Sequence, residues 1–213
     1  MLRNDTTAPR RRSNQATLIP SAGVRTDVDP DLQELVLQLD RAVELGDPQR
    51  TTAAVKRTLS DLIRAHRIRL AERYFEPLPD TYARRLLHRD ERRGYSAIVM
   101  TWGPGQGTSL HDHAGIWCVE GVVAGEMEVV QYEMTDDADG RYRFAPRGRV
   151  HALAGASGAL IPPFEYHILK NALADRVSVT LHVYGGEMTH CHFFEPCDDD
   201  TFRRVGKDLV LNG

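Results

Sequence analysis

Apolar positions in the first part of the chain recur with the period of an α-helix. Leu32, Leu35, Val36, Leu39 and Val43 share one face, with Asp29 as N-cap, Pro30 in the first turn and Gly46 after the last turn. Asp47-Pro48 repeats the start signal, and Val55, Leu59, Leu62, Ile63 and His66 mark one face of a second helix. A third short amphipathic piece is expected over Ile68–Tyr74, and Pro77 and Pro79 close the helical part. The expected role of all three is packing over one end of a β-domain.

From Thr81 onward the pattern changes to short β-type runs broken by Gly, Pro and Asp. TYARRLLH and YSAIVMTW flank the charged turn RDERRG, and IWCVEGVV and EMEVVQYEM flank Ala124-Gly125. TDDADG reads as a tight polar turn, and RVHALA, GALI, YHILKN and RVSVTLHVYGG continue the series. About ten short strands at this spacing indicate an all-β sandwich or barrel. The chain therefore divides into a poorly ordered tail over residues 1–26, a helical segment over 27–76 and a β-barrel over 77–213, together one structural domain.

Composition narrows the class. The 213 residues are 41% hydrophobic and 27% charged with a net charge of −3, ordinary for a soluble domain and no basis for binding nucleic acid or an anionic membrane. No run of about 18 apolar residues predicts a membrane span. The first residues lack the apolar stretch of a secretory signal, and Cys118, Cys191 and Cys197 form no disulfide framework, so a cytoplasmic protein with reduced thiols is expected.

The chemistry concentrates in GQGTSLHDHAGIWCVEGVVAG. His111 and His113 flank one residue, and in a strand residues two apart point to one face. Gly121 and Gly125 bracket a short apolar run, as a turn between strands allows. His167, in PPFEYHILKN, supplies a third imidazole. Three imidazoles suit zinc, iron, copper or nickel better than calcium or magnesium. Asp112 must point away from its neighbours and suits a supporting role. Three neutral ligands leave the charge of a divalent ion uncompensated and favour an incoming anion, a thiolate above all.

The spacing resembles the first cupin motif: Gly105, five residues, His111-Asp112-His113, four residues, Cys118, six residues, Gly125, with cysteine where the family's glutamate stands. Pro162, His167 and Asn171 resemble the second motif, with Phe164 where glycine is usual. The cysteine points to a narrower resemblance, to the thiol dioxygenases typified by cysteine dioxygenase, over roughly residues 75–195.

That resemblance implies an all-β cupin (jelly-roll-like barrel) with Fe(2+) held by His111, His113 and His167. It implies a carboxylated thiol bound by Arg84, with Tyr82 beside it, and oxidised by O2 to a sulfinate. In SVTLHVYGG, Thr180 stands where the family has serine; Tyr184 would act on the bound reactants and His182 would orient its phenol. Cys118 would be the thioether partner of Tyr184, although a small buried hydrophobe on a core strand is the other reading of that cysteine. CHFF from Cys191 resembles a cysteine–histidine pair near the family's pocket. L-cysteine is the expected substrate, since the branch acting on 3-mercaptopropionate carries glutamine at the Arg84 position; mercaptosuccinate is a further alternative. The other classes are a cupin isomerase or different oxygenase, in which Glu120 would be a displaced carboxylate ligand, and a non-catalytic metal-binding cupin. Arg84 beside Arg85 would on its own read as a solvated pair, His66, His88, His151 and His190 as ordinary histidines, and Trp117 as packing that borders the site. The partners expected are a small thiol and O2, with no nucleic acid or membrane, for a monomer.

Overall fold

A computed structural model describes residues 28–212; the expected N-terminal tail lies outside them. Two helices, α1 (Gln33–Val43) and α2 (Pro48–Arg64), precede ten strands among the described residues. Asp29 caps a short 3-10 turn leading into α1, and the Asp47 carboxylate accepts from the Arg50 amide at the start of α2. Both stripes face inward: Leu35, Val36, Leu39, Val55, Leu59, Leu62 and Ile63 are buried. At roughly 1.5–3 kcal/mol per buried aliphatic side chain, this face holds the helices far more firmly than their caps.

Two helical expectations fail. His66 is exposed with φ of 54°, past the end of α2, and there is no helix at Ile68. The chain from 67 to 71 has no helical structure, with Ile68 and Leu70 half-buried and Arg69 exposed, before a single 3-10 turn at Glu72–Phe75. That alternation suits extended chain as well as it suits one helical turn, and a run this short does not separate the two.

The strands are β1 (Ala83–Asp90), β2 (Tyr95–Trp102), β3 (Cys118–Ala124), β4 (Glu126–Ala138), β5 (Arg141–Leu153), β6 (Ser157–Leu160), β7 (His167–Asn171), β8 (Ser178–Tyr184), β9 (His190–Pro196) and β10 (Phe202–Asp208). They form two five-stranded sheets, ordered β1-β2-β8-β3-β6 and β7-β4-β5-β10-β9. This is the expected cupin barrel with a helical segment. TDDADG is not a turn throughout: β4 runs through Ala138, and the reversal falls on Asp139 and Gly140, both at positive φ. Gly121 lies within β3 instead of ending it, where a Cβ would stand 3.1 Å from Ile63 and 3.3 Å from Leu59. Glycine there lets α2 lie close against the sheet.

Every residue of β2 and β8 is buried. On β8, Val179, Leu181 and Val183 join the helices in one apolar cluster, while Tyr184 belongs to the cluster on the other face. Ser178, Thr180, His182 and Tyr184 share that second face, because side chains alternate along a strand. The helices thus cover one side of the first sheet, freeing the other side to hold polar groups between the sheets. Arg84 and Arg85 are both buried, contrary to the solvated pair their adjacency suggests.

Candidate metal centre

The segment carrying His111 is not part of a named strand; it completes a sheet at its edges. His111 forms isolated bridges to both His167 on β7 and Phe193 on β9, the two edge strands of the second sheet. The His111 amide donates to the His167 carbonyl at 3.2 Å, and the Asp112 amide donates to the His192 carbonyl at 3.1 Å. Asp112 anchors this rung: Oδ1 accepts from the amides of His192 (2.8 Å) and Ala114 (3.1 Å), and Oδ2 lies 2.8 Å from His192 Nδ1. Ala114 and Gly115, both at positive φ, turn the chain after His113 toward β3. Asn171 fixes β7, its amide nitrogen donating to the carbonyls of Trp102, Gly103 and Arg176.

This backbone brings three buried imidazoles together, with ligand atoms of His111, His113 and His167 all within 4.8 Å of one another. Nε2 of His111 and Nε2 of His167 are 3.2 Å apart. Two ligands at right angles on one ion, each at about 2.1 Å, are separated by about 3.0 Å. The opposite nitrogens face oxygen: His111 Nδ1 the Ser109 carbonyl at 3.0 Å, His113 Nδ1 Glu165 Oε2 at 3.5 Å, and His167 Nδ1 Glu120 Oε1 at 3.8 Å. Burial, with neighbouring imidazoles adding to it, holds His111 down to about 3 and His167 well below the usual histidine range, so both are neutral. Imidazole nitrogens converging on one point, each ring with an oxygen 3.0–3.8 Å behind it, fit a divalent transition metal. Among the described residues, Asp40, His88 and Asp90 form a second close group, but Arg93 already pairs with both carboxylates there.

The triad lies on a cavity between the sheets, with about 20 Å³ for solvent, little more than one water. Arg84 projects into it from β1; its Nη2 donates to the Met188 carbonyl at 3.1 Å and its Nη1 to the Val210 carbonyl at 3.4 Å. Tyr82 stacks on Trp102 with ring centroids 4.4 Å apart. Tyr184, His182 and Cys191 also line the cavity.

A family model described as cysteine dioxygenase type I matches residues 49–197. The chain belongs to the cysteine dioxygenase type I family. A curated relative, cysteine dioxygenase type 1 of Danio rerio, is 24% identical over 115 residues, 54% of this chain and 56% of that protein. The match thus spans only about half of the relative's length. Among solved structures, a double-stranded β-helix protein of Klebsiella pneumoniae covers 57% of this chain and 92% of its own at 19% identity and TM-score 0.42. The cupin domain of Schizosaccharomyces pombe Cnp3 covers 50% of this chain and 61% of its own at 11% identity and TM-score 0.39.

Within this member of the cysteine dioxygenase family, β3 and β8 pair so that Cys118 opposes Tyr184, Glu120 opposes His182 and Val122 opposes Thr180. Burial raises the Tyr184 phenol and the Cys118 thiol well above their usual ranges, so both keep their protons. His182 Nε2 meets Thr180 Oγ1 at 2.8 Å, and Trp102 Nε1 donates to the same hydroxyl at 2.9 Å. The other ring nitrogen of His182 faces Glu120 Oε2 at 3.7 Å and Cys118 Sγ at 4.0 Å, while the ring stacks on Tyr184 at 6.0 Å. Trp117 packs with the helical cluster and does not line the cavity.

Glu120, expected only as a displaced ligand in the alternative reading, and Glu165, not expected at all, are the two carboxylates behind the triad. Burial alone raises Glu120 to about 8. Glu165, also buried, accepts from the His113 amide at 2.8 Å. The signal for both lay in the motifs, as a carboxylate two residues past Cys118 and another two before His167. The structure puts Glu120 on the far side of His167 from the converging Nε2 atoms and outside the three-residue group, which removes it as a displaced ligand.

Proposed function

We propose that this chain is an iron(II)-dependent thiol dioxygenase that adds both atoms of O2 to the sulfur of a small carboxylated thiol, L-cysteine first, giving the sulfinate. The observation that carries the reading is the pairing, in one cavity, of a three-histidine group with the buried guanidinium of Arg84. His111, His113 and His167 hold the metal through Nε2. A ferrous ion held there would supply the redox chemistry that joins dioxygen to a thiolate and the proximity component of catalysis.

The protein's own groups do the rest. Arg84 keeps donors beyond those given to Met188 and Val210, and its planar fork suits a carboxylate. Tyr184, protonated at Oη, donates a hydrogen bond to the reactants. Tyr82 and Trp102, stacked at the wall, and the apolar side chains of Met100, Leu169 and Phe193 exclude water and strengthen each polar contact inside. Arg84 is the only arginine or lysine among the described residues lining the cavity, which favours one carboxylate over the two of mercaptosuccinate. 3-Mercaptopropionate keeps that carboxylate and is the alternative substrate.

An oxygen-electrode screen of cysteine, 3-mercaptopropionate, mercaptosuccinate and cysteamine, run with iron analysis of the protein, tests the reading. Uptake with cysteine and a matching yield of sulfinate is expected. Stoichiometric iron with no uptake on any thiol would leave a metal-binding cupin without this activity.

A further inference from the structure

Glu120 is a buried carboxyl that no step above uses. Register, not motif, places it: on β3 it opposes His182 of β8 on one side and Gly158 of β6 on the other. A Cβ on Gly158 would already touch Oε1 at 3.7 Å, so the carboxyl fills the room glycine leaves. Its two oxygens reach different rings, Oε1 to His167 Nδ1 at 3.8 Å and Oε2 to His182 Nδ1 at 3.7 Å. Glu120 Oε2 and His167 Nδ1 are both buried with no hydrogen bond of ordinary length.

The network fixes where the protons sit. Trp102 Nε1 only donates, so it occupies a lone pair of Thr180 Oγ1, and the hydroxyl proton is left for His182 Nε2. Were His182 Nε2 the donor instead, the buried Thr180 proton would lose its acceptor, which is costly in a dry site. His182 therefore carries its proton on Nδ1, toward Glu120. His167 turns Nε2 to the triad and carries its proton on Nδ1, also toward Glu120.

The geometry points to Glu120 as a positioning residue that holds two rings at once, one oxygen accepting from the Nδ1–H of the metal-site His167 and the other from the Nδ1–H of His182. This rests on the reading of His111, His113 and His167 as a metal triad. When a divalent ion occupies the triad its charge favours the ionised form of Glu120, and that carboxylate fixes the tautomer and ring angle of His167 and strengthens it as a ligand. It also ties that ligand to the Trp102–Thr180–His182 chain, so the metal and the wall beside Tyr184 are oriented together.

Zn(II) serves as a diamagnetic probe. Affinity is measured on the full chain by competition with a chelator for wild type, E120L and E120Q, and long-range 1H–15N correlation of the Zn(II)-loaded wild type reports the imidazole tautomers. E120L is expected to weaken Zn(II) binding by about 10- to 100-fold. E120Q is expected to fall between, since its one carbonyl oxygen accepts from one ring while its amide opposes the other. The spectra are expected to show zinc on Nε2 of His167 and the proton of His182 on Nδ1. Wild-type affinity in E120L, or the proton of His182 on Nε2, overturns the proposal. The spectra read the wild type, so the test stands even where E120L fails to fold. Tight Zn(II) binding by a wild type whose iron-loaded form oxidises no thiol would overturn the dioxygenase reading and leave this one intact, whereas a wild type that binds no metal would remove the triad itself.

Discussion

Cys118 and Tyr184 are directly opposed Cα partners on the neighbouring antiparallel strands β3 and β8, with both side chains buried in the cluster between the sheets. The hydrogen bond between phenol and thiol opposes, weakly, the burial that keeps the thiol protonated. Opposed positions on such strands have Cβ atoms about 5 Å apart, within reach of a covalent link between a sulfur and a phenol ring. With iron, a thiol substrate and air, a thioether is expected between Cys118 Sγ and the Tyr184 ring, dioxygen taking up the two hydrogens lost. Peptide mass spectrometry after many turnovers checks this: a joined peptide pair two hydrogens lighter than its parts is the product. Free Cys118 throughout would leave that residue as core packing.

His167→Ala is expected to remove bound metal and all activity. His167 makes one corner of the three-residue group, and the nearest carboxylate, Glu120, faces the back of its ring. Metal analysis and oxygen uptake on the purified variant test the assignment. Stoichiometric metal in H167A would overturn His167 as the third ligand.

What was readable in the chain was what carries a period or a motif. The stripes of α1 and α2 and the run of β2 stand out because one residue type recurs at the spacing its element imposes. The His-x-His pair stands out as a motif, although its segment forms isolated bridges and not the expected strand. The extent of β5 did not, because most of its residues are exposed and its arginines, Pro146 and Gly148 interrupt the apolar positions. Nor did the bridging position of Glu120, which depends on the register of β3 against β8, a non-local pairing that composition does not encode. The closing role of the C-terminal segment was equally hidden. Leu209 lines the cavity, and the Asn212 side chain and amide bond the backbone of Arg84 at 2.8 and 2.7 Å, while Val210 is 70% exposed.

The metal-free protein is expected to be most stable near pH 6.5. Burial lowers His111 to about 3 from 6.5, so between those values the unfolded chain takes up a proton the folded chain refuses. Stability then falls as pH drops below 6.5, by about 1.4 kcal/mol per pH unit for each such ring, and His167 and His182 shift in the same direction. Glu120 has the opposite sign: raised to about 8 from 4.5, it keeps a proton the unfolded chain has lost, so stability falls as pH rises through that window. Urea denaturation of metal-free wild type and E120Q at a series of pH values isolates the second limb. The advantage of E120Q over wild type is expected to grow with pH between 4.5 and 8, and a difference independent of pH would contradict it.

Arg84→Gln tests substrate recognition. Arg84 is 4% exposed and lines a cavity in which no other arginine or lysine of the described residues takes part. Removing one partner of a buried charged pair costs on the order of 2–4 kcal/mol, so kcat/KM for cysteine should fall by about 30- to 1,000-fold. Arg84 also donates to the carbonyls of Met188 and Val210, and losing those bonds alone would disturb the site for any substrate. Cysteamine separates the two effects, since it has the thiol and amine of cysteine but no carboxylate. If Arg84 recognises the carboxylate, whatever rate cysteamine supports changes little in R84Q while cysteine loses most of its advantage. Arg84→Lys keeps the charge but not the fork, and its rate should lie between wild type and R84Q. Equal losses for cysteine and cysteamine, together with a lowered unfolding midpoint, would assign Arg84 to holding Met188 and Val210 in place.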